Sequence, residues 1–503
     1  MRPNSTFQHL MRAVLSLSVL TLLWLVSLRN LDVRPVHADE ANQMVKTDVL
    51  ATSGLYRYDP TDHHGPLLYW LSAPVVRCLS GGDVNRSEAW MYRLTPECFV
   101  WLSVVLIFGL GTWRFNGTFR SHRSAFLAAL FLLTSPLVRY YGGYFIQEMM
   151  LASFLLAMGV ALRYYAYWPS WRSAVAFGAA AAGALCSKET ALVGFAAMGL
   201  AGWWSFGLHR IGAYWRTKHV LIAGATFVLL AMLPLTDFLQ HPSGVLELFG
   251  TMATNYGAKA LGADGHVHPW YYYLELLFCR PSLPGRWWCE GLMVIPALYA
   301  VGVSFRTGRT RAIRFITIYA IALTVIYSLI PYKTPWCAVG FWVPWLLLAG
   351  AGIGMLWETM GHWRGRNLWR SGLALATAIC VLCQFRQAEL LTGKLSADPR
   401  NPWVYAHTSH DAVTLCRMLR EQVAPNEVVA VALPAEDTWP LPWYLRPLQA
   451  GFWTSPDAVD AEGVHYLIAL EGTDVPQRLG TIREKKTYRL RPGVPITLYR
   501  LSP

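Results

Sequence analysis

Apolar and polar positions alternate along this chain in long blocks, not with the short periods of a soluble domain. A stretch of about 17 to 25 apolar residues spans a bilayer as a helix, and a polytopic bundle tolerates somewhat shorter ones. Eleven segments meet that pattern, at 10–28, 97–113, 124–141, 148–167, 173–187, 190–206, 219–236, 289–305, 315–331, 338–357 and 371–387. They predict an all-α membrane bundle of about eleven transmembrane helices within residues 1–387.

The loops alternate in charge. With the N-terminus and its Arg2 and Arg12 in the cytoplasm, the inner loops carry Arg114, Arg120 and Arg123, then Arg172, then Arg210, Arg216 and Lys218. Arg306, Arg309, Arg311 and Arg314 follow, and finally Arg364, Arg366 and Arg370. Asp and Glu collect in the other set of loops. Because Lys and Arg favour the cytoplasmic side, loops 29–96 and 237–288 and everything after 387 are expected outside the inner (plasma) membrane.

Beyond 387 the texture changes. "SHDAVTLCRMLREQV" has helical periodicity, "EVVAVALP" and "HYLIALEG" read as buried strands, and "TYRLRPGVPITLYRL" reads as two strands around a Pro/Gly turn. Residues 388–503 are therefore expected to form a small extracytoplasmic α/β domain with a binding or scaffolding role.

Composition supports the membrane reading. Hydrophobic residues make up 54% of the chain and charged residues only 15%, against about 25% in soluble domains. The net charge of +13 sits largely in short loops and not on one module, so nucleic acid is not an expected partner. Cys186, Cys380 and Cys383 lie in apolar segments as packed thiols. Cys279 and Cys289 bracket an outer loop, where a disulfide stands beside the reduced alternative.

Polar groups at membrane depth are costly, so those that persist are functional candidates. Four groups fall at the outer ends of predicted helices: Asp39 and Glu40 in "VHADEANQ", Arg139 to Glu148 in "RYYGGYFIQE", Lys188 in "CSKET", and Lys333 in "PYKTPWC". No GxxxxGK[ST] loop is present, and an outer cavity meets no nucleotide pool. A sugar carried on a polyprenyl phosphate could reach such a cavity through the bilayer. One carboxylate would deprotonate an acceptor hydroxyl while Lys188, Lys333 or Arg139 neutralised the departing phosphate, with inversion at the anomeric carbon expected. Tyr140, Tyr141, Trp70 and Trp336 would stack on sugar or line the lipid groove.

The acidic pair after the first helix, "GPLLYWL" entering the next apolar stretch, and "KET" between short helices resemble the GT-C superfamily of membrane glycosyltransferases, of the protein O-mannosyltransferase and aminoarabinose-lipid A transferase type. "PYKTPW" and "EDTWPLPWYLR" are more narrowly similar to a prokaryotic branch named for association with lipid-linked glycan flipping. The resemblance implies an outer catalytic cavity, polyprenyl-phosphate donors, and a catalytic acid falling on Asp39, with Glu40 its neighbour and Glu148 a second acidic position. It departs at His64-Gly65-Pro66, where lipid A transferases typically carry Lys-Pro-Pro, so His64 stands in place of a phosphate-binding lysine.

Alternatives stay open on the sequence. Asp39 is also readable as a solvated acid, or as a residue following a cleavage site at Val36-His37-Ala38. Glu148 also suits a helix N-terminus, and Lys188 also suits snorkelling to headgroups. The sequence singles out no definite cofactor; a divalent metal on Asp62, His63 and His64, or on His266 and His268, competes with plain loop histidines. The acceptor is a lipid-linked glycan, a lipid or a protein. A component of a glycan flippase or transport system and a non-catalytic scaffold are the competing classes, the former expected to show internal repeats and midplane charges.

Overall fold

A computed structural model describes residues 5–59, 62, 64–112, 122–207, 215–252, 254, 266–279, 290–306 and 311–502. His63, Arg114, Arg120, Arg210, Arg309, Cys289 and the Cys279 side chain lie outside the described set, and with them the candidate disulfide. In chain order the main helices are α1 (Ser5–Ser27), α2 (Ala38–Ser53), α3 (Leu67–Leu79), α4 (Ala89–Thr112), α5 (His122–Thr134), α6 (Pro136–Gly142), α7 (Glu148–Tyr167) and α8 (Trp171–Ser187). There follow α9 (Ala191–Phe206), α10 (Thr217–Leu235), α11 (Val294–Arg306), α12 (Arg311–Leu329), α13 (Ala338–Met360), α14 (Arg366–Thr392), α15 (His410–Gln422) and α16 (Leu441–Leu445).

All eleven predicted segments fall on helical structure. Among the described residues seven helices are long and apolar enough to cross a membrane, or eight if the bent pair α5–α6 is one span. The chain is a multi-pass membrane protein. The segment expected as one helix at 124–141 is bent by 62°. Pro136 has no N–H and disfavours a helical Ser135, so α5 stops and Ser135 restarts the chain as the N-cap of α6, its hydroxyl accepting from the Val138 amide at 3.3 Å.

The chain divides into two compact units, the first made of residues 1–31, 57–68 and 93–394, the second of 32–56, 69–92 and 395–503. The first is the helical bundle. In the second, five strands, β1 (Val428–Ala432), β2 (Gln449–Trp453), β3 (Val464–Leu470), β4 (Thr481–Arg491) and β5 (Val494–Ser502), form one sheet in the order β2-β1-β3-β5-β4. β2, β1 and β3 are parallel, and β5 runs antiparallel to both β3 and β4.

The predicted strands and tail helix all appear, and β2 is an addition that the sequence pattern does not single out. α15 buries Ala412, Leu415, Cys416 and Leu419, the i, i+3, i+4, i+7 stripe of an amphipathic helix. Ala430, Leu467, Tyr499 and Leu501 belong to a second apolar cluster of the sheet.

The loop segments 32–56 and 69–92 are built into this unit by polar bonds. The Val36 amide donates to the Tyr444 hydroxyl at 2.8 Å, and the Thr408 hydroxyl donates to the Val36 carbonyl at 2.7 Å. Arg446 lies over the Trp443 ring, 4.2 Å from its centroid, and donates to the Ser87 carbonyl at 2.6 Å. Its Nε is 3.6 Å from the Asp48 carboxylate, which also accepts from the Tyr92 hydroxyl.

Burial pushes the Asp48 carboxyl up to about 6, against the pull of Tyr92 and Arg446. A raised carboxyl makes the folded state hold the proton longer than the unfolded one, so its contribution to stability falls as pH rises from about 4 to about 6 and is level above. Thermal unfolding of the detergent-solubilised protein across pH 4–7 should show this fall, and Asp48→Asn should remove it.

Candidate active site

The acidic pair is not in an irregular loop. Asp39 and Glu40 lie in the first turn of α2, where acids suit the helix dipole. The turn closes as a capping box with histidine in the usual Ser/Thr role. His37 Nδ1 accepts from the Asp39 amide at 3.1 Å, and the Glu40 carboxylate accepts from the His37 amide at 3.1 Å.

Glu40 is fully buried, and its other oxygen pairs with Arg34 Nη2 at 3.1 Å. Asp39 is rotated about 100° around the helix from Glu40. Its side chain is 45% exposed, with His37 Nδ1 at 3.9 Å. Burial holds the His37 imidazole below its ordinary range, favouring the neutral form that can accept from the Asp39 amide. The two carboxylates thus divide: Glu40 holds the helix start, and Asp39 presents an oxygen pair to solvent. Trp70 is half-buried on α3 of the same unit.

In the bundle unit three of the singled-out stretches converge. Lys188 caps the C-terminus of α8 and pairs through Nζ with Glu148 Oε1 at 2.5 Å, both groups being buried. Burial would lower the Lys188 ammonium, but the Glu148 carboxylate overrides this and holds it above its ordinary range. Glu189 accepts from the Tyr58 hydroxyl at 3.3 Å and contacts His64 Nδ1 at 3.0 Å. Burial, reinforced by the Lys188 charge, keeps His64 below its ordinary value despite Glu189, favouring the neutral ring.

Gly65 is required by this contact. A Cβ there would lie 2.2 Å from the Cys186 carbonyl oxygen, so only glycine lets the His64 segment approach the end of α8.

Tyr140 and Tyr141 stack edge-on at 5.1 Å, and Trp336 lies 6.1 Å from both Tyr141 and Tyr144. Arg139 is buried and ion-paired with Glu389, with the Glu97 carboxylate acting on it as well. Lys333 differs from the other two cations. It is 1% exposed, and its Nζ donates only to carbonyl oxygens, of His268 at 3.0 Å and Ile330 at 2.5 Å. Among the described residues no carboxylate lies within 4 Å of it, and burial lowers its pKa.

The sequence pattern does not single out Glu97, Glu290 or Glu389. Each is an acid at the edge of an apolar stretch, and that placement is the signal that could have found them. Glu290 is fully buried and accepts from the Ser135 hydroxyl and the Trp342 indole, both at 2.5 Å.

Of the candidate metal ligands, His63 lies outside the described residues. The His268 ring stacks on Tyr272 at 4.2 Å, and His266 meets Tyr332 edge-on. Among the described residues no group of three His, Cys, Asp or Glu side chains is placed to hold a metal ion.

The fold, a helical bundle with a small sheet domain, is similar to that of solved structures. Two solved structures illustrate the likeness. ArnT from Cupriavidus metallidurans bound to undecaprenyl phosphate matches over 97% of this chain and 98% of that one, with a TM-score of 0.67 and 16% identity. The oligosaccharyltransferase AglB from Archaeoglobus fulgidus, in complex with an inhibitory peptide and a dolichol-phosphate, matches over 90% of this chain and 69% of that one, with a TM-score of 0.57 and 11% identity. At these identities the likeness is one of fold. No protein-family model matches the sequence, and no curated protein sequence matches it.

Removing one member of a buried ion pair leaves the other charge uncompensated, a loss of about 3–5 kcal/mol. Glu40→Ala should therefore lower the unfolding temperature markedly. Asp39→Asn, at an exposed position, should change stability by no more than about 0.5 kcal/mol.

Proposed function

We propose that this protein is a glycosyltransferase that moves a sugar from a polyprenyl-phosphate donor to an extracytoplasmic acceptor, a lipid-linked glycan, a lipid or a protein. The observation that carries the reading is the half-exposed Asp39 carboxylate on a helix start locked by its buried neighbour. Two structural neighbours with undecaprenyl phosphate or dolichol-phosphate bound support the donor class. "PYKTPW" and "EDTWPLPWYLR" support a place near the flippase-associated branch. The alternating loop charge supports a cytoplasmic N-terminus and an external C-terminal domain in the plasma membrane.

In this reading Asp39 takes the proton of the acceptor hydroxyl as that oxygen attacks the anomeric carbon. The bond from that carbon to the phosphate oxygen breaks, and polyprenyl phosphate leaves with the electron pair. One displacement inverts the centre.

Lys333 is the group that receives the leaving phosphate. A buried ammonium held only by carbonyls is relieved by an arriving anion, whereas Lys188 and Arg139 already face carboxylates. Those two, with Glu148 and the neutral His64, are other polar groups of the bundle unit, and Tyr140, Tyr141 and Trp336 offer apolar and stacking surface there.

The test is transfer by the purified, reconstituted protein from polyprenyl-phosphate sugars. Asp39→Asn should lower kcat by about 10²–10⁴-fold, the usual contribution of a general base. Lys333→Met should lower kcat/KM by about ten- to a hundredfold, the loss of a charged hydrogen bond. Undiminished transfer by Asp39→Asn removes that residue as base, and no transfer from any donor by the wild type favours the scaffold.

A further inference from the structure

A cavity of about 550 Å³ lies within the bundle unit, lined along α5 from Arg123 to Thr134. Its walls are apolar: Phe126, Leu127 and Leu130 of α5, and Ala374, Ala378 and Val381 of α14, with α13 closing one side. It exists because α14 stands off from its neighbours. The buried residues of that helix are Gln384, Ala388 and Leu391, all in its last third, and small alanines face the gap along the rest.

One end of the cavity is cationic. Arg123, at the start of α5, stacks its guanidinium on Trp357 of α13 at 4.5 Å from the ring centroid. Arg370, near the start of α14, lies over the same ring at 5.3 Å and donates from Nε to the Trp357 carbonyl at 3.0 Å. The other end is closed by Thr134 and Phe385. From Arg123 to Thr134 α5 rises about 17 Å at ~1.5 Å per residue. That is close to the ~15 Å depth of one leaflet's hydrocarbon.

We infer that this groove is a binding site for an anionic phospholipid. Its acyl chain fills the gap between α5, α13 and α14, and its phosphate sits on Arg123 beside Trp357. The dimensions suit one leaflet, and on the loop-charge topology this is the cytoplasmic one, whose anionic headgroups attract Arg and Lys. An arginine with an aromatic partner keeps donors for a phosphate oxygen pair. The lipid would act as packing material for α14, the helix that carries Glu389, the ion-pair partner of Arg139.

The test uses the full chain in detergent, incubated with equal amounts of phosphatidylglycerol and phosphatidylcholine and examined by native mass spectrometry. The wild type should retain phosphatidylglycerol at least about fivefold over phosphatidylcholine, and phosphatidylglycerol should raise its unfolding temperature more. Arg123→Gln should abolish the preference while leaving the protein folded. Ala378→Trp, which fills the groove, should abolish retention of both lipids.

Equal retention of the two lipids by the wild type overturns the proposal, as does an Arg123→Gln variant with unchanged preference. Displacement of phosphatidylglycerol by undecaprenyl phosphate, lost in Ala378→Trp, would assign the groove to an isoprenoid chain and overturn it equally.

Discussion

A carboxylate shut away from water keeps its charge only where its oxygens are bonded, and Glu40 meets that condition at the point where α2 begins. One oxygen holds the Arg34 guanidinium and the other the His37 amide, so an ion pair and a helix cap share a single side chain. The register of the helix follows. Gln43, Met44, Thr47 and Asp48 continue the buried stripe that starts at Glu40, and Asp39 is turned toward solvent. The residue before His37 is fixed on both sides of its peptide, its amide by Tyr444 and its carbonyl by Thr408. A domain at the end of the chain thereby sets the geometry of a carboxylate near its beginning.

Charge in the bundle is arranged by the same economy. Lys188 faces Glu148, Arg139 faces Glu389, and Glu189 engages a tyrosine and a histidine. Buried pairs of this kind contribute little net stability but are expensive to break. Lys333, unlike Lys188 and Arg139, has its buried charge held by carbonyl dipoles. Where an anion has to arrive and leave, a cation without a resident carboxylate is the one able to respond to it.

Much of this was legible before any coordinates. Length and apolarity marked the membrane segments, period-two and period-3.6 patterns marked the tail strands and helix, and the cost of polar groups at membrane depth marked Arg139, Glu148, Lys188 and Lys333. The partners were not legible. Glu389 is 250 residues from Arg139 and Glu189 is 125 from His64, and no local rule links positions so distant. The start of α2 was hidden because histidine is an uncommon N-cap, so the segment read as a polar loop. Likewise the α5–α6 bend was masked by an unbroken apolar run, although Ser135-Pro136 was its signal. The departure at His64-Gly65-Pro66 gains a local reason, since glycine is what the approach to Cys186 requires.

The central claim is a single displacement with Asp39 as base and polyprenyl phosphate as leaving group. Stereochemistry tests it most directly, because a base and a nucleophile at that position give opposite outcomes. The measurement is the proton NMR coupling at the anomeric centre of the product, compared with that of a donor of known configuration. Inversion, a β-linked donor giving an α-linked product or the reverse, is the result this account predicts. Retention would mean a covalent glycosyl-enzyme intermediate and would contradict it.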